Sequence, residues 1–169
     1  MRVVVTGGNG FLGRHVVRAL ERERYDVHAP KSGEYDLRDQ DACERLMCEN
    51  GAVDAVVHLA ARVGGIGENV NAPGTFLYEN AMMGLQLMEA ARHCGVQKFL
   101  TVGTACMYPD TVPVPTPETS LWDGHPAYDT AAYAQAKRLI LAQGMAYADQ
   151  YDFNAVFVIP SQNPDRAFA

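Results

Sequence analysis

The chain has 169 residues, which suits one domain and leaves no room for a second, so we expect residues 1–169 to form a single unit. A net charge of -6, with 48% hydrophobic and 20% charged residues, is typical of a globular protein and argues against nucleic acid as the partner. No apolar run approaches the roughly 18 residues of a membrane span, and the N-terminus lacks the pattern of a signal peptide, so we expect no membrane partner and a cytoplasmic location.

An apolar run at residues 3–5 stops at a glycine cluster, and a helical pattern begins directly after it. The run is short and β-branched, which indicates a buried strand, and the recurrence of Leu12, Val16 and Leu20 is that of one helical face. The N-terminus is therefore predicted to be a strand, a tight turn and a helix.

Three glycines in that turn, Gly7, Gly10 and Gly13, have the spacing G-x-x-G-x-x-G. Gly7 is expected to make the turn, Gly10 to let phosphates approach the backbone, and Gly13 to allow close packing of helix on strand. The start of such a helix offers unpaired N–H groups and a positive dipole end to an anion. We interpret the stretch as a nucleotide-binding loop, and a glycine-rich turn without a ligand is the alternative.

A second short strand is predicted at residues 25–30, ended by a proline and a Ser-Gly turn. In dinucleotide-binding folds an acidic side chain near the end of this strand binds the ribose of NAD, whereas a basic one accommodates the 2′-phosphate of NADP. Lys31 holds that position and favours NADP. Glu34 and Asp36 lie close by, so NAD stays open.

The middle of the chain continues the alternation of helix and strand. A helix follows Asp39 as its N-cap, and residues 53–61 form the next strand, on which His58 is more often a core residue than a ligand or base. The glycine-rich loop at 62–67 is expected to be mobile or close to a ligand. A long helix then runs from 73 to 94.

The next predicted strand, at residues 96–102, ends in a segment at 103–109 that lies where open parallel sheets bind ligands. Residues 109–126 hold five of the nine prolines and no helical period, which predicts a long functional loop. A helix from about 128 to 149 and a last strand at 153–160 complete the pattern.

Strands that alternate with helices require a parallel sheet with right-handed crossovers. We therefore predict an α/β fold of the Rossmann type, a doubly wound parallel sheet of about six strands in the order 3-2-1-4-5-6 with helices on both faces. The four cysteines, at 43, 48, 94 and 106, have no C-x-x-C or zinc-like spacing, so we expect reduced thiols, mostly core filler, and no metal site.

Tyr133 and Lys137 are the residues with the clearest chemical spacing. A phenol titrates near pH 10, and a lysine one helical turn away supplies a positive charge that favours its anion. Thr104, at the end of the adjacent strand, is expected to hydrogen-bond the same substrate oxygen. Tyr128 cannot play this part, because Ala132 stands four residues after it.

Together these motifs resemble the extended short-chain dehydrogenase/reductase family, also called NAD-dependent epimerases and dehydratases. Residues 6–13 (Thr-Gly-Gly-Asn-Gly-Phe-Leu-Gly) match its cofactor loop, and residues 58–61 (His-Leu-Ala-Ala) match its strand-four motif. Residues 63–66 (Val-Gly-Gly-Ile) are similar to a segment of the branch that epimerises and reduces 4-keto sugar nucleotides. Residues 103–109 resemble that branch's Gly-Ser-Ser-Cys-Ile-Tyr-Pro, with threonine in place of the catalytic serine.

The resemblance implies an NADP-dependent epimerase and reductase of a nucleotide 4-keto-6-deoxy sugar, with NAD as the alternative cofactor. It implies Thr104, Tyr133 and Lys137 as the catalytic set and Cys106 as a candidate acid or base in epimerisation. It also implies a homodimer through the helices at about 73–94 and 128–149. The residues predicted to bind the cofactor are Gly7, Gly10, Phe11, Leu12, Gly13, Lys31, Asp36, Leu37, Leu59, Ala60, Ala61, Tyr133 and Lys137.

The similarity covers residues 1 to about 161, after which the family continues into a substrate-binding region that this chain does not resemble. The histidine expected to partner Cys106 has no counterpart. We therefore expect the substrate-binding domain to be absent or truncated, either in an unusually short enzyme or in a piece of a longer one, and completion of the sugar-nucleotide pocket by a second chain stays open. The alternative is a non-catalytic dinucleotide-binding or assembly module.

Overall fold

Strands and helices alternate along the chain in a computed structural model that describes residues 1–49 and 51–160. The strands of this part are β1 (Arg2–Thr6), β2 (Asp26–His28), β3 (Ala55–His58), β4 (Lys98–Val102) and β5 (Ala155–Val158). Its α-helices are α1 (Phe11–Arg22), α2 (Gln40–Glu44), α3 (Ile66–Asn71), α4 (Pro73–His93) and α5 (Ala131–Tyr151). None of these helices is long and apolar enough to cross a membrane.

All five strands form one parallel sheet in the order β2-β1-β3-β4-β5. The predicted doubly wound parallel fold is confirmed, and the order agrees with the expected one except at the edge beside β2. Among the described residues no strand lies beyond β2, so the sheet has five strands and not about six. The reason is that the segment between β2 and β3 forms α2 and a π-helical turn (Arg45–Glu49), which leaves no second apolar run.

The strand β1 lies inside the sheet, and its alternate side chains face two cores. Val3 and Val5 pack with the apolar side of α1, whereas Val4 packs into the larger core that α2, α4 and α5 cover. Successive strand residues point to opposite faces, so one short valine run supplies both cores. Helices therefore cover both faces of the sheet, as predicted, and the carboxyl ends of its parallel strands share one edge.

Helices α4 and α5 pack closely against each other on the larger-core side. The approach depends on Gly84, where a Cβ would overlap Cδ1 and Cγ1 of the fully buried Ile140. Gly95, with φ of 74°, follows the end of α4 and has the left-handed conformation expected of its C′ residue. The two long helices thus match the predicted segments to within a few residues.

Two of the four cysteines depart from the expectation of reduced thiols. Cys48 and Cys94 form a disulfide with Cα atoms 5.5 Å apart, while Cys43 and Cys106 are free. The pair is 46 residues apart in sequence, and only the packing of the turn after α2 against the end of α4 brings it together. Cys43 is core filler as predicted, and burial raises the pKa of its thiol to about 12.

His58 is a buried core residue at the end of β3, in agreement with the more ordinary interpretation of its sequence position. Its Nδ1 lies 2.8 Å from the Thr6 hydroxyl, and its ring contacts Phe99. Burial, and to a smaller extent the charge of Lys137, lowers the pKa of His58 to about 3. The ring is therefore neutral at physiological pH.

Replacement of Gly84 by alanine should destabilise the fold. The added Cβ would overlap Ile140, whose buried position gives it little room to move, so we expect the free energy of unfolding to fall by about 1 to 3 kcal/mol. Gly74→Ala is the matched control on the same helix, since nothing lies within 4 Å of its added Cβ. That change should be neutral or stabilising by up to about 1 kcal/mol. Urea unfolding checks both, and a Gly84→Ala protein as stable as Gly74→Ala would contradict the packing described.

Candidate active site

A cavity of about 790 Å³ lies at the edge of the sheet where the strands β1, β3 and β4 end. Parallel sheets bind their ligands at this edge. Every residue predicted to bind the cofactor lines it, namely Gly7, Gly10, Phe11, Leu12, Gly13, Lys31, Asp36, Leu37, Leu59, Ala60, Ala61, Tyr133 and Lys137. The glycine turn and the tyrosine–lysine pair, far apart in sequence, therefore belong to one cavity.

The glycine turn between β1 and α1 has little space for side chains. Gly7 has φ of 69°, and a Cβ there would lie 2.7 Å from the Ala60 nitrogen. A Cβ on Gly13 would collide with the Gly7 carbonyl oxygen and lie 2.6 Å from the Gly8 Cα. The expected roles of Gly7 in the turn and Gly13 in close packing are confirmed.

Gly10 is the most open of the three glycines. A Cβ there would meet only the Gly7 oxygen, at 3.2 Å. Gly10 is also the N-cap of α1 and offers no side chain to the first turn of that helix, which has no acidic residue. The first N–H groups and the positive end of the helix dipole are thus available to an anion in the cavity.

A network of charged side chains forms one end of the cavity. Arg38 donates to both carboxylate oxygens of Asp36, at 2.9 and 2.7 Å, and to Glu79 at 2.9 Å. Glu79 also accepts a hydrogen bond from Arg62 at 3.2 Å. The hydrogen bonds from Arg38 lower the pKa of the Asp36 carboxyl to about 2. The Asp36 carboxyl is therefore ionised, and the charge of Arg38 balances its own. Lys31 takes part in no ion pair among the described residues.

Sequence reasoning missed three members of this network, Arg38, Arg62 and Glu79, all of which line the cavity. The sequence could have indicated Arg38, because it stands two residues after Asp36, whose carboxylate it binds. Glu79 had none, since it reaches the cavity from α4 and meets its partners only in the folded chain.

The loop after β3 is fastened to α4, although its glycines suggested mobility. The buried Asn80 accepts a hydrogen bond from the Arg62 nitrogen at 2.9 Å and donates to the Arg62 oxygen at 3.0 Å. Its amide also donates to the Phe76 oxygen at 2.8 Å. Arg62 and Val63 consequently lie against the cavity, which supports the alternative expectation of a loop close to a ligand.

The residues expected to do chemistry come from α5 and from the end of β4. Tyr133 and Lys137 line the cavity, with Lys137 Nζ 5.9 Å from the centre of the Tyr133 ring. Thr104 caps a 3₁₀ turn (Ala105–Met107), where its hydroxyl accepts a hydrogen bond from the Cys106 nitrogen at 3.3 Å. Thr104 and Cys106 are not among the lining residues, but their neighbour Gly103 is.

Burial controls the charge of the tyrosine–lysine pair. It raises the pKa of the Tyr133 phenol, and the charge of Cys106 raises that pKa further. Burial also lowers the pKa of Lys137 to about 8. The expected lowering of the tyrosine pKa by Lys137 is thus not seen, because burial favours the neutral form of both groups. At neutral pH Tyr133 keeps its proton, as an acid must, and most of the Lys137 side chains are charged.

Comparison with known proteins gives a family match over most of the chain. The sequence model described as "NAD dependent epimerase/dehydratase family" matches residues 3–163. GDP-L-fucose synthase of Sinorhizobium fredii is 31% identical over 160 residues, which are 95% of this chain and 51% of that protein. The chain spans about half the length of the curated relatives it matches.

Solved structures agree in fold. A GDP-L-fucose synthetase from Naegleria fowleri bound to NADP superposes with a TM-score of 0.80 at 31% identity, over 94% of this chain and 48% of that one. The UDP-glucose 4-epimerase of Thermus thermophilus in complex with NAD has a TM-score of 0.78 at 28% identity, over 97% of this chain and 58% of that one.

Lys137→Met should make the fold more stable at pH 7, although it removes a residue of the candidate site. The folded-state pKa of Lys137 is about 8 against an ordinary 10.5, and the side chain is only 3% exposed. Below pH 8 the ammonium is charged in both states, so the folded protein bears the full cost of burying it. That cost is relieved as pH rises from about 8 to 10.5, and the free energy of unfolding of the wild type should rise by about 3 kcal/mol.

Urea unfolding at several pH values between 7 and 10.5 measures this effect as a difference between wild type and variant. Lys137→Met should lack the rise and should exceed the wild type by up to about 3 kcal/mol at pH 7. Lys98→Met, at an exposed lysine of β4, is the matched control and should keep the rise. A Lys137→Met protein with the wild-type pH dependence would show that the buried ammonium costs the fold nothing.

Proposed function

Since this chain belongs to the NAD-dependent epimerase/dehydratase family, we propose that it is the cofactor-binding and catalytic part of an NADP-dependent epimerase and reductase of a nucleotide 4-keto-6-deoxy sugar. The observation that carries the proposal is the common cavity of the glycine turn and the pair Tyr133 and Lys137. Relatives named GDP-L-fucose synthase support a GDP-linked sugar as the substrate.

The cavity fits a dinucleotide. Its glycine turn is a cradle that side chains would fill, and the start of α1 presents N–H groups where a pyrophosphate needs them. Residues Leu59, Ala60 and Ala61 form an apolar wall between that turn and α5. The bound nicotinamide would supply the hydride for reduction of a carbonyl, and Lys137 would hold its ribose.

NADP is proposed over NAD. Lys31 is exposed beside the cavity at the end of β2, where a carboxylate would favour NAD. The nearby acids that line the cavity, Asp36 and Glu79, are already bound by Arg38. The NADP-bound relative from Naegleria fowleri supports this choice, and the NAD-bound epimerase from Thermus thermophilus is the reason to test it.

Tyr133 is proposed as the general acid that donates its proton to the carbonyl oxygen. Its raised pKa keeps the phenol protonated, and the nearby Lys137 ammonium would stabilise the phenolate that forms. Thr104 accepts from the Cys106 nitrogen, so its own O–H can donate to the same substrate oxygen. Cys106, a free and half-buried thiol, is the candidate acid or base for epimerisation.

A homodimer through α4 and α5 is proposed as the assembly. Both helices carry large apolar side chains that are exposed in the single chain, among them Tyr78 on α4 and Leu139 and Met145 on α5. Solitary exposed apolar residues are normal, so the support for an interface is that several of them occur on two helices that pack together.

Further polypeptide, on this chain or on a second one, is proposed to complete the sugar-nucleotide pocket of this dinucleotide-binding domain. The chain spans about half the length of its relatives, and on the side of the sheet where α1 lies, no helix of the described residues packs over β4 and β5. Leu100, Val102 and Val156 are only half-buried there, and Val158 is exposed.

A cytoplasmic location is also proposed, and the Cys48–Cys94 disulfide, a bond more usual in oxidising compartments, weighs against it.

Lys31→Glu should weaken NADPH more than NADH. Loss of a cation at the 2′-phosphate and gain of an anion should raise the dissociation constant of NADPH by roughly tenfold or more, the value of one charge-assisted hydrogen bond. Nicotinamide fluorescence during titration measures both constants. Lys98→Glu makes the same charge change on β4 and should not alter the preference. Equal constants for NADPH and NADH in the wild type, or an unchanged ratio in Lys31→Glu, would contradict the proposal.

Tyr133→Phe should abolish reduction while cofactor affinity stays nearly unchanged. A positioned acid contributes about two to four decades in rate, so the rate of NADPH oxidation with GDP-4-keto-6-deoxymannose should fall by that factor in a preparation that turns over. Tyr128→Phe is the matched control, because that tyrosine is 91% exposed and lacks the lysine one turn away. A wild-type rate in Tyr133→Phe would refute the assignment of the acid.

A further inference from the structure

Arg138 follows Lys137 directly on α5, and its side chain is only 6% exposed. It takes part in no ion pair among the described residues. Its guanidinium instead donates to backbone carbonyls, from Nε and Nη2 to the Met107 oxygen at 2.9 and 2.6 Å and from Nη1 to the Gly124 oxygen at 2.9 Å. A buried cation that binds two carbonyls from different segments connects those segments to its own helix.

The two carbonyls stand before and near the end of the proline-rich segment 109–126. Pro109 and Pro126 form an isolated antiparallel bridge, so the segment is a loop whose ends lie side by side. Trp122, on a 3₁₀ turn (Glu118–Trp122) of the same loop, stacks over the guanidinium at 5.5 Å and is 52% exposed. One side chain therefore holds both ends of the loop, and the loop in turn covers that side chain.

The first of these carbonyls belongs to the turn that carries the expected catalytic hydroxyl. Thr104 begins that turn. Its backbone carbonyl oxygen accepts a hydrogen bond from the Met107 nitrogen at 3.1 Å, and its hydroxyl accepts one from the Cys106 nitrogen. A turn this short and this well bonded moves as a unit. Fixing the Met107 carbonyl to α5 therefore fixes Thr104 and Cys106 relative to the helix that bears Tyr133 and Lys137.

Arginine suits this task better than any other side chain. A buried charge is tolerated only when it is hydrogen-bonded, and Arg138 satisfies its donors with carbonyls. The guanidinium is a planar fork whose donors have fixed directions, whereas a lysine ammonium is a point charge on a flexible stem. Two carbonyls held by one rigid group keep their mutual position.

We propose that Arg138 is a positioning residue, which sets Thr104 and Cys106 against Tyr133 and Lys137 by holding both ends of the loop at 109–126. The assignment of those four residues rests on the proposed function, but the contacts of Arg138 do not. Loss of the guanidinium fork should loosen the loop at 109–126 and the 3₁₀ turn at 105–107, and should leave the glycine turn after β1 unchanged.

Arg138→Met and Arg138→Lys test the proposal with two signals that need neither cofactor nor substrate. Trp122 is the single tryptophan of the chain, so its emission and its quenching by acrylamide report on the loop alone. Without reductant, Cys48 and Cys94 are bonded and Cys43 is fully buried, so alkylation by iodoacetamide reports on Cys106. In both variants we expect red-shifted emission, stronger quenching and faster alkylation, with the dissociation constant of NADPH unchanged.

In a preparation that turns over, both variants should lower kcat by about 10²-fold with little change in the KM for NADPH, because misplacement by about 1 Å costs that much. Arg92→Met is the matched control, since Arg92 stacks over Tyr147 and Tyr151 far from the loop and should leave Trp122 and Cys106 as they are. If Arg138→Met does not fold, Arg138→Lys keeps a buried charge without the planar fork and should still speed alkylation of Cys106.

Unchanged Trp122 and Cys106 signals in Arg138→Met would overturn the proposal. Wild-type behaviour of Arg138→Lys would show that charge suffices, and would overturn the role of the fork. A loosened loop with an unchanged kcat would refute the positioning role and leave the proposed function intact. Absence of NADPH binding by the wild type would instead count against the proposed function, since the fluorescence and alkylation results stand without the cofactor.

Discussion

The contact between the start of helix α1 and the end of strand β1 is the constraint on which the site depends. Gly13 lies so near the Gly7 carbonyl and the Gly8 backbone that no Cβ fits between them. This closeness lets α1 cover the smaller core with its apolar side while its first turn stays open at the edge of the sheet. The same turn that joins strand to helix thus leaves unpaired N–H groups available to an anion beside the ends of β3 and β4.

Burial determines the chemistry at the other end of the cavity. Burial raises the pKa of the Tyr133 phenol further above neutrality, and Lys137 retains its charge at neutral pH against a cost that the fold must bear. The two neighbouring cations on α5 therefore have different surroundings. Arg138 satisfies its donors with carbonyls and organises the loop, whereas Lys137 has its ammonium at the cavity, where a ligand can complete its contacts.

Features encoded by local spacing could be predicted from the sequence, and features made by tertiary packing could not. Spacings of a few residues predict the roles of Gly7 and Gly13 and the face shared by Tyr133 and Lys137. The alternation of strands and helices predicts the parallel sheet. Glu79 reaches Arg38 and Arg62 from another helix, and Cys48 meets Cys94 across 46 residues, so neither contact had a local signal. The strand order agrees except for one strand beyond β2, because the connection from β2 to β3 forms only α2, the helix expected after Asp39, and its π-helical turn. The tyrosine pKa was misjudged because burial, which sequence spacing does not report, raises it.

The central claim is that the glycine turn and the ends of the strands form a dinucleotide site in this chain as it stands. Calorimetric titration with NADPH tests it most directly, on the wild type and on Gly13→Ala, whose Cβ would collide with the Gly7 oxygen. We expect saturable binding of one NADPH per chain in the wild type and loss of that binding in a folded Gly13→Ala protein. Absence of binding heat in the wild type, or equal binding in the two proteins, would contradict the claim.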